Sequence, residues 1–201
     1  MLVFPTTAMA IEEPTYRVVT AYAGFEVREY AGYIVAETIV DAGMDRAGNE
    51  GFRRLAGYIF GGNRGAHRIE MTAPVSMAPV KIAMTAPVAV APVGEASDGG
   101  ALVGATRYRV TFTMPRAFTL DTLPIPGDPR VVLRQEPARR VAALRFSGRW
   151  TDELAAAKTR ELLVALDREG LRPIGPPVYA RYDAPWSLPW LRRNEILIAV
   201  N

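Results

Sequence analysis

The chain carries few side chains that could act as nucleophiles, bases or metal ligands. His67 is the only histidine and there is no cysteine, which excludes disulfides, thiolate metal sites and cysteine nucleophiles. A Gly-x-Ser-x-Gly elbow, a P-loop and a Gly-x-Gly-x-x-Gly sequence are also missing. A histidine-based triad would have to rest on His67 alone, so the chemistry that remains is that of carboxylates and tyrosines.

Glu195 is the carboxylate of most interest, because it directly follows Arg192-Arg193-Asn194 and begins an apolar run. A glutamate held inside an apolar cup has a raised pKa and can serve as a general base. The other interpretation is that Glu195 opens a strand and pairs with a neighbouring arginine. Further side chains that could supply such an acid are Glu26, Glu29, Glu37, Glu70, Tyr30 and Tyr182.

Two large aromatic side chains stand close together near the end of the chain. Trp186 and Trp190 lie in a proline-rich segment with Leu188 and Leu191. Large aromatics in a polar-flanked loop are hard to explain by packing alone, so we expect one wall of a slot for a flat apolar ligand. The alternative is that the tryptophans cover the edge of a sheet.

The pentapeptide Met-Thr-Ala-Pro-Val occurs twice, at Met71–Val75 and at Met84–Val88. Proline is typical of strand edges and bends, and methionine fills irregular space in a core. We therefore assign both copies to structure and expect a hairpin whose two arms show the same pattern.

An internal duplication provides the elements that position these residues. Phe25–Val40 aligns without a gap with Val131–Phe146, and the alignment brings Val27 onto Leu133. Each copy has the pattern of a short strand, a turn and a longer strand with mostly alternating character. The other matched pairs are Arg28 with Arg134, Val35 with Val141 and Ala36 with Ala142.

A helix is predicted after each copy. Apolar residues at helical spacing predict the first over about Asp45–Phe60. The second is predicted over about Asp152–Glu169, with Thr151 as its N-cap and a stop at Gly170. Further strands are expected at Arg68–Val75, Lys81–Val88, Thr106–Met114, Val178–Asp183 and Glu195–Val200.

Neither half is large enough to close a core well, so we expect the two halves to pair about a pseudo-twofold axis. The predicted fold class is α+β, with duplicated strand-strand-helix-strand halves forming a curved antiparallel sheet or distorted barrel and two helices. Residues 15–201 would form this single domain, and residues 1–14 a flexible leader or signal remnant. Val93–Ala101 is expected to be a surface loop between the halves.

The order and spacing of several short segments resemble the SOUL haem-binding protein family over about Tyr16–Val200. These segments are the two Met-Thr-Ala-Pro-Val copies, Phe25–Tyr30, Tyr58–Asn63, Met114-Pro115, Leu123–Pro129, Phe146–Gly148 and Tyr182–Glu195. The resemblance implies the α+β architecture predicted above, which GyrI-like effector-binding modules share.

The same resemblance implies a protein that is not an enzyme and that holds haem or another tetrapyrrole in an apolar groove without strong axial ligation. In the family, the groove lies between one face of the first helix and the loop before the last strand. The corresponding positions here are Phe52, Leu55, Ala56 and Ile59 on the helix and Trp186, Leu188, Trp190 and Leu191 in the loop.

The positions that bind propionates and iron in the family differ in this chain. Two positions with charged propionate contacts in the resembled haem binder are Asn49 and Gly57 here, and neither supplies a cation. The arginines that could replace them are Arg53, Arg54, Arg192 and Arg193. One SOUL member has an axial histidine where this chain has Glu29. His67 is therefore a candidate metal ligand by residue type only, as are Met71 and Met84, and we interpret His67 as an exposed loop residue.

Two alternatives to the haem-binding interpretation remain open from the sequence. One is a GyrI-like cup that binds a small effector or hydrolyses a small molecule with Glu195 as the catalytic carboxylate. The other is a structural or interaction module with no small ligand.

Charge and composition limit the partners. The formal net charge is +3 over 201 residues and the arginines are scattered, so we expect no nucleic-acid partner. The resemblance to the SOUL family leads us to expect a monomer. No stretch approaches about 20 apolar residues, the length that spans a membrane.

We expect a cytoplasmic protein. Ala8-Met9-Ala10 has the small-x-small pattern of a signal-peptidase site, so a periplasmic or exported protein is the alternative if the start is truncated.

Overall fold

The computed structural model describes residues 12–65, 80–93, 105–183 and 187–201. This part of the chain contains two α-helices and eleven strands, two of them only two residues long. In chain order the elements are β1 (Tyr16–Tyr22), β2 (Phe25–Tyr30), β3 (Tyr33–Val40), α1 (Met44–Ile59), β4 (Asn63–Arg64), β5 (Val88–Pro92), β6 (Tyr108–Thr113), β7 (Ile125–Pro126), β8 (Val132–Glu136), β9 (Arg139–Phe146), α2 (Asp152–Arg168), β10 (Pro173–Arg181) and β11 (Asn194–Val200).

Nine of these strands form one antiparallel sheet in the order β1-β2-β9-β11-β10-β5-β6-β3-β8, and β4 pairs with β7 beside it. Within the described residues β1 and β8 are the two edges, so the sheet is open. One cavity is lined both by Tyr30 of β2 and by Glu136 of β8, near opposite ends of this order, which requires the sheet to curve. Of the two predicted forms, the curved antiparallel sheet is therefore confirmed, and the barrel is not closed.

Apart from the edge strand β1, the sheet has equivalent strand orders from its two ends, β2-β9-β11-β10 and β8-β3-β6-β5, as the predicted duplication requires. The short strand of each copy pairs with the long strand of the other, β2 with β9 and β8 with β3. The registers correspond as well: Val27 lies opposite Ala142, and its match Leu133 lies opposite Ala36. The centre of the sheet is the pairing of β5 with β10, where Ala89 faces Ala180.

Both helices cover one face of the sheet, α1 on β3, β5 and β6 and α2 on β10 and β11. The core lies between the helices and the sheet, because alternate residues of each strand point toward the helices. On β6 these are Tyr108, Val110 and Phe112, as the alternation predicts. Gly51 lets α1 approach closely, since a Cβ on it would lie 2.4 Å from Cγ2 of Val110.

The ends of the helices agree with the sequence signals. The hydroxyl of Thr151 accepts a hydrogen bond from the backbone N–H of Leu154 at 3.1 Å, which confirms the predicted N-cap. Gly170 follows α2 with a φ of +69°, a conformation that favours glycine at a helix end.

Some predicted strands differ from the structure. The strand predicted at Lys81–Val88 is wrong, because β5 begins only at Val88. In that stretch the backbone N–H of Ile82 donates instead to the carbonyl of Ile59 at 2.8 Å.

Met84 is partly exposed while Thr85 and Ala86 are buried, so the prediction that methionines of the repeat fill the core is wrong for this copy. The first copy, the strand at Arg68–Val75, His67 and residues 94–101 lie outside the described residues.

Candidate functional site

The predicted site residues of α1 lie on two sides of the helix. Leu55 and Ile59 are fully buried against the sheet, where they belong to the core cluster. Phe52 and Ala56 are half-buried and Arg53 is exposed. The ring of Phe52 meets that of Phe112 edge-on with centroids 5.4 Å apart. Leu55 and Ile59 therefore fix the helix from beneath, and the other three reach its outer surface.

A further aromatic residue extends this outer surface. Phe60 follows Ala56 by four positions, is the C-cap of α1 and is 61% exposed. Its helical spacing groups it with the core stripe in the sequence, but Tyr58 and Ile59 occupy the buried side of the last turn and Phe60 is left exposed at the C-cap. Asn49 and Gly57 lie beside Arg53 on the same exposed side.

The loop before β11 presents a compact apolar patch. Leu188, Trp190 and Leu191 are 51%, 68% and 69% exposed, and the last two belong to a short 3-10 helix, Pro189–Leu191. The carbonyl of Pro189 accepts a hydrogen bond from the backbone N–H of Gly148 at 3.0 Å. We call Leu188, Trp190 and Leu191 the apolar turn. Trp186 lies outside the described residues.

The root of this loop contacts the start of α1. Arg181, the last residue of β10, has its guanidinium 3.5 Å from the carboxylate of Asp45 in the first turn of α1. The same guanidinium lies over the ring of Trp150, 4.5 Å from its centroid. Burial lowers the pKa of Arg181, and the nearby charge of Arg192 acts in the same direction, against the opposing effect of Asp45. The loop thus leaves the sheet beside the N-terminal half of α1.

The four arginines that could serve as cationic partners are not equivalent. Arg54 is bound to Glu50 and donates to the carbonyl of Ile39 at 3.0 Å. Arg193 binds both Glu195 and Glu13 at 3.0 Å. Both are therefore committed to contacts within the protein. Arg53 is exposed and makes one long hydrogen bond of 3.4 Å to the carbonyl of Asn49, so it is more accessible than Arg54 and Arg193. Arg192 donates through Nε to the carbonyl of Ser187 at 2.9 Å.

Glu195 lies at the centre of a buried ionic cluster on the face of the sheet away from the helices. Its carboxylate accepts hydrogen bonds from Arg28 at 2.7 and 3.2 Å, from Arg193 at 3.0 Å and from the Tyr182 hydroxyl at 2.8 Å. Burial alone would raise the pKa of Glu195, but the hydrogen bond and charge of Arg28 with the contacts of Tyr182 and Arg193 hold it below the usual value.

This geometry corrects the interpretation of Glu195 as a general base. A base needs a raised pKa and an oxygen free to take a proton, whereas this carboxylate has a lowered pKa and four donors. The interpretation as a strand-start carboxylate paired with arginine is the one that the structure supports. Burial and the charge of Glu195 raise the pKa of Tyr182, so its hydroxyl remains a hydrogen-bond donor.

Two structural findings concern the described residues only. None of their helices is long and apolar enough to cross a membrane. No group of three or more acidic or histidine side chains among them is arranged to hold a metal ion.

Comparison with known proteins identifies the family. The chain is 28% identical to Heme-binding protein 1 of Sus scrofa over 167 residues, which are 82% of this chain and 77% of that protein. The C-terminal domain of EcmrR is similar in structure, with a TM-score of 0.63 and 11% identity over 92% of this chain and 98% of that one. A hydrolase from Listeria innocua has a TM-score of 0.54 and 10% identity over 91% of this chain and 94% of that one.

At such identities the similarity to the two solved structures establishes the α+β fold alone and says nothing about activity. The family is shown by a different match, because a model described as SOUL heme-binding protein matches residues 11–199. The chain belongs to the SOUL heme-binding protein family.

Proposed function

We propose that this protein binds haem or a related tetrapyrrole without catalysing a reaction, on the surface formed by the apolar turn and the outer side of α1. Membership of the SOUL family and the likeness to Heme-binding protein 1 support the ligand class. The observation that carries the location is the exposure of Leu188, Trp190 and Leu191 together on one fixed turn.

The residues present fit a flat apolar ligand with two carboxylates. Contiguous exposed apolar side chains are uncommon on a monomeric protein without a partner for them. The apolar turn, Phe52, Ala56 and Phe60 would contact the porphyrin plane, and Arg53 would face a propionate. Burial of apolar surface contributes about 25 cal/mol per Å², so a few hundred Å² outweigh an exposed arginine–carboxylate pair of about 0–1 kcal/mol. We therefore expect binding to depend on the apolar turn more than on charge.

We further propose that no protein side chain acts as a strong axial ligand. Glu29, at the position of the axial histidine in one SOUL member, is engaged on the surface in an ion pair of 2.5 Å with Arg17. Bound haem supplies its own iron chemistry, and in this proposal the residues of the chain hold and cover the macrocycle. A monomeric state is part of the same proposal, as is the lack of a nucleic-acid partner, which the scattered arginines support.

Hemin titration followed by Soret absorbance tests the proposal. Trp190→Ala should weaken hemin binding about tenfold or more, whereas Arg53→Ala should change the Kd by less than about fivefold. Val164→Ala is the matched control, because Val164 is as exposed as the apolar turn but lies on α2. His67→Ala should leave the spectrum unchanged. The location would be wrong if Trp190→Ala and Val164→Ala bound hemin equally, and the ligand class would be wrong if the unaltered protein showed no saturable change at low micromolar hemin.

A further inference from the structure

The face of the sheet away from the helices contains a cavity that the proposed haem surface does not use. We call this the helix-free face. The cavity has a volume of about 190 Å³ and is lined by residues of every long strand except β1. Its floor lies at the centre of the sheet, where Ala89, Ala91 and Ala199 contribute only methyl groups. These small side chains leave the space open, because larger ones at the same positions would fill it.

The carboxylates at this cavity already have cationic partners. Glu136 lines it and accepts a hydrogen bond from Arg134 at 2.5 Å. Glu37, on the neighbouring strand β3, accepts a hydrogen bond from the Nε of the same Arg134 at 2.9 Å. Glu195 beneath Tyr182 is bound by Arg28 and Arg193 as described above. No carboxylate among these three is left to attract a cation into the cavity.

Two arginines that line the cavity have donors without acceptors. The Nε atoms of Arg109 and Arg139 are buried and make no hydrogen bond within the described residues. Arg109 Nε lies 3.4 Å from a Glu37 oxygen, an ionic contact without hydrogen-bond geometry. Arg139 donates to the Tyr33 hydroxyl through Nη2 at 3.4 Å, and its Nη1 lies 4.0 Å from a Glu136 oxygen, again an ionic contact without hydrogen-bond geometry. A buried donor without an acceptor costs about 1–3 kcal/mol, and an anionic ligand would supply the acceptor.

The rest of the lining is apolar and aromatic. Tyr30, Tyr33 and Tyr182 stand at one side, and Val141, Ile174 and Leu197 lie on neighbouring strands. Burial raises the pKa of Tyr30 to about 12, so the phenol stays protonated and neutral. Such walls suit an apolar body, and the volume falls below the roughly 300–1,000 Å³ typical of drug-sized ligands.

We propose that this cavity is a second binding site, for a small organic anion with a carboxylate on an aromatic or aliphatic body. The carboxylate binds between Arg109 and Arg139, and the apolar part packs over the alanine floor. The site is independent of the haem surface, since it lies on the opposite face of the sheet from α1.

Calorimetric titration with benzoate tests this site, with benzamide and benzylamine as neutral and cationic ligands of the same shape. Benzoate should bind saturably and at least about tenfold more tightly than either. Arg109→Gln and Arg139→Gln should each weaken benzoate binding about tenfold or more. Arg107→Gln is the matched control, because Arg107 forms an exposed pair with Asp41 and should bind as the unaltered protein does.

Ala91→Phe provides a test that leaves both arginines in place. The added ring fills the cavity, so benzoate binding should be lost while hemin binding is retained. Trp190→Ala should bind benzoate normally, which separates this site from the haem surface. Equal binding of benzoate and benzamide, or unchanged benzoate binding by Ala91→Phe and both arginine variants, would overturn the proposal whatever the outcome with hemin.

Discussion

Glu195→Gln is expected to destabilise the protein strongly although it preserves the shape of the side chain. The side chain of Glu195 is 0% exposed and that of Arg28 is 4% exposed, so the substitution leaves a buried guanidinium without its main counter-charge. Breaking a buried ion pair from one side costs about 3–5 kcal/mol. At about 2–4 °C per kcal/mol for a domain of this size, the melting temperature should fall by roughly 6–20 °C at pH 7.

The loss should depend on pH in a defined direction. The pKa of Glu195 is lowered in the folded state, while an unfolded glutamate keeps its ordinary value of 4.5. Its charge therefore stabilises the fold fully above about pH 4.5, and this contribution is lost as the pH falls through the lower, folded-state pKa. The difference in stability between the unaltered protein and Glu195→Gln should be largest near pH 7 and shrink progressively below about pH 4.5.

Thermal and urea unfolding followed by circular dichroism at pH 7, 5, 4 and 3 would measure both effects. Glu29→Gln is the control, because Glu29 pairs with Arg17 on the surface and such pairs contribute about 0–1 kcal/mol. A loss at pH 7 as small as that of Glu29→Gln, or a loss that stays constant down to pH 3, would refute the assignment of Glu195 as the buried counter-ion.

The remaining predictions concern helix packing and capping, each measured by urea unfolding. Gly51→Ala should cost about 1–3 kcal/mol, because its Cβ would overlap Val110. Gly57→Ala in the same helix meets nothing within 4 Å and should stabilise by up to about 1 kcal/mol; similar effects of the two alanines would contradict the close contact. Thr151→Ala should cost about 1 kcal/mol by removing the acceptor of the Leu154 N–H, and Thr151→Ser should retain most of that stability.

The parts of the fold that the sequence predicts are those with local signals or with internal repetition. Thr151 and Gly170 mark the ends of α2 because capping depends on residues within a few positions. The alignment of Val27 with Leu133 is reproduced by the strand registers, since equivalent sequences form equivalent pairings. Strand β1 carries no comparable signal, and the register of its pairing with β2 shifts between Val18 and Thr20.

The environment of single side chains follows less well from sequence. Arg28 and Glu195 meet only because β2, β9 and β11 lie side by side, so the lowered pKa of the carboxylate has no local sequence signal. Met84 and Phe60 satisfy apolar patterns, but Met84 lies before the start of β5 and Phe60 caps the end of α1, and both are exposed. Periodicity indicates which side chains share a face and leaves open whether another element covers that face.

The exchange of β2 and β8 between the two halves bears on how the chain folds. Each half needs a strand from the other to complete its part of the sheet, so neither is expected to be stable as a separate fragment. Contacts between residues far apart in sequence slow folding, and a chain with this topology cannot finish its N-terminal half until the second copy of the repeat has emerged from the ribosome. Two fragments divided between β6 and β8 should instead assemble when mixed, each supplying the strand that the other lacks.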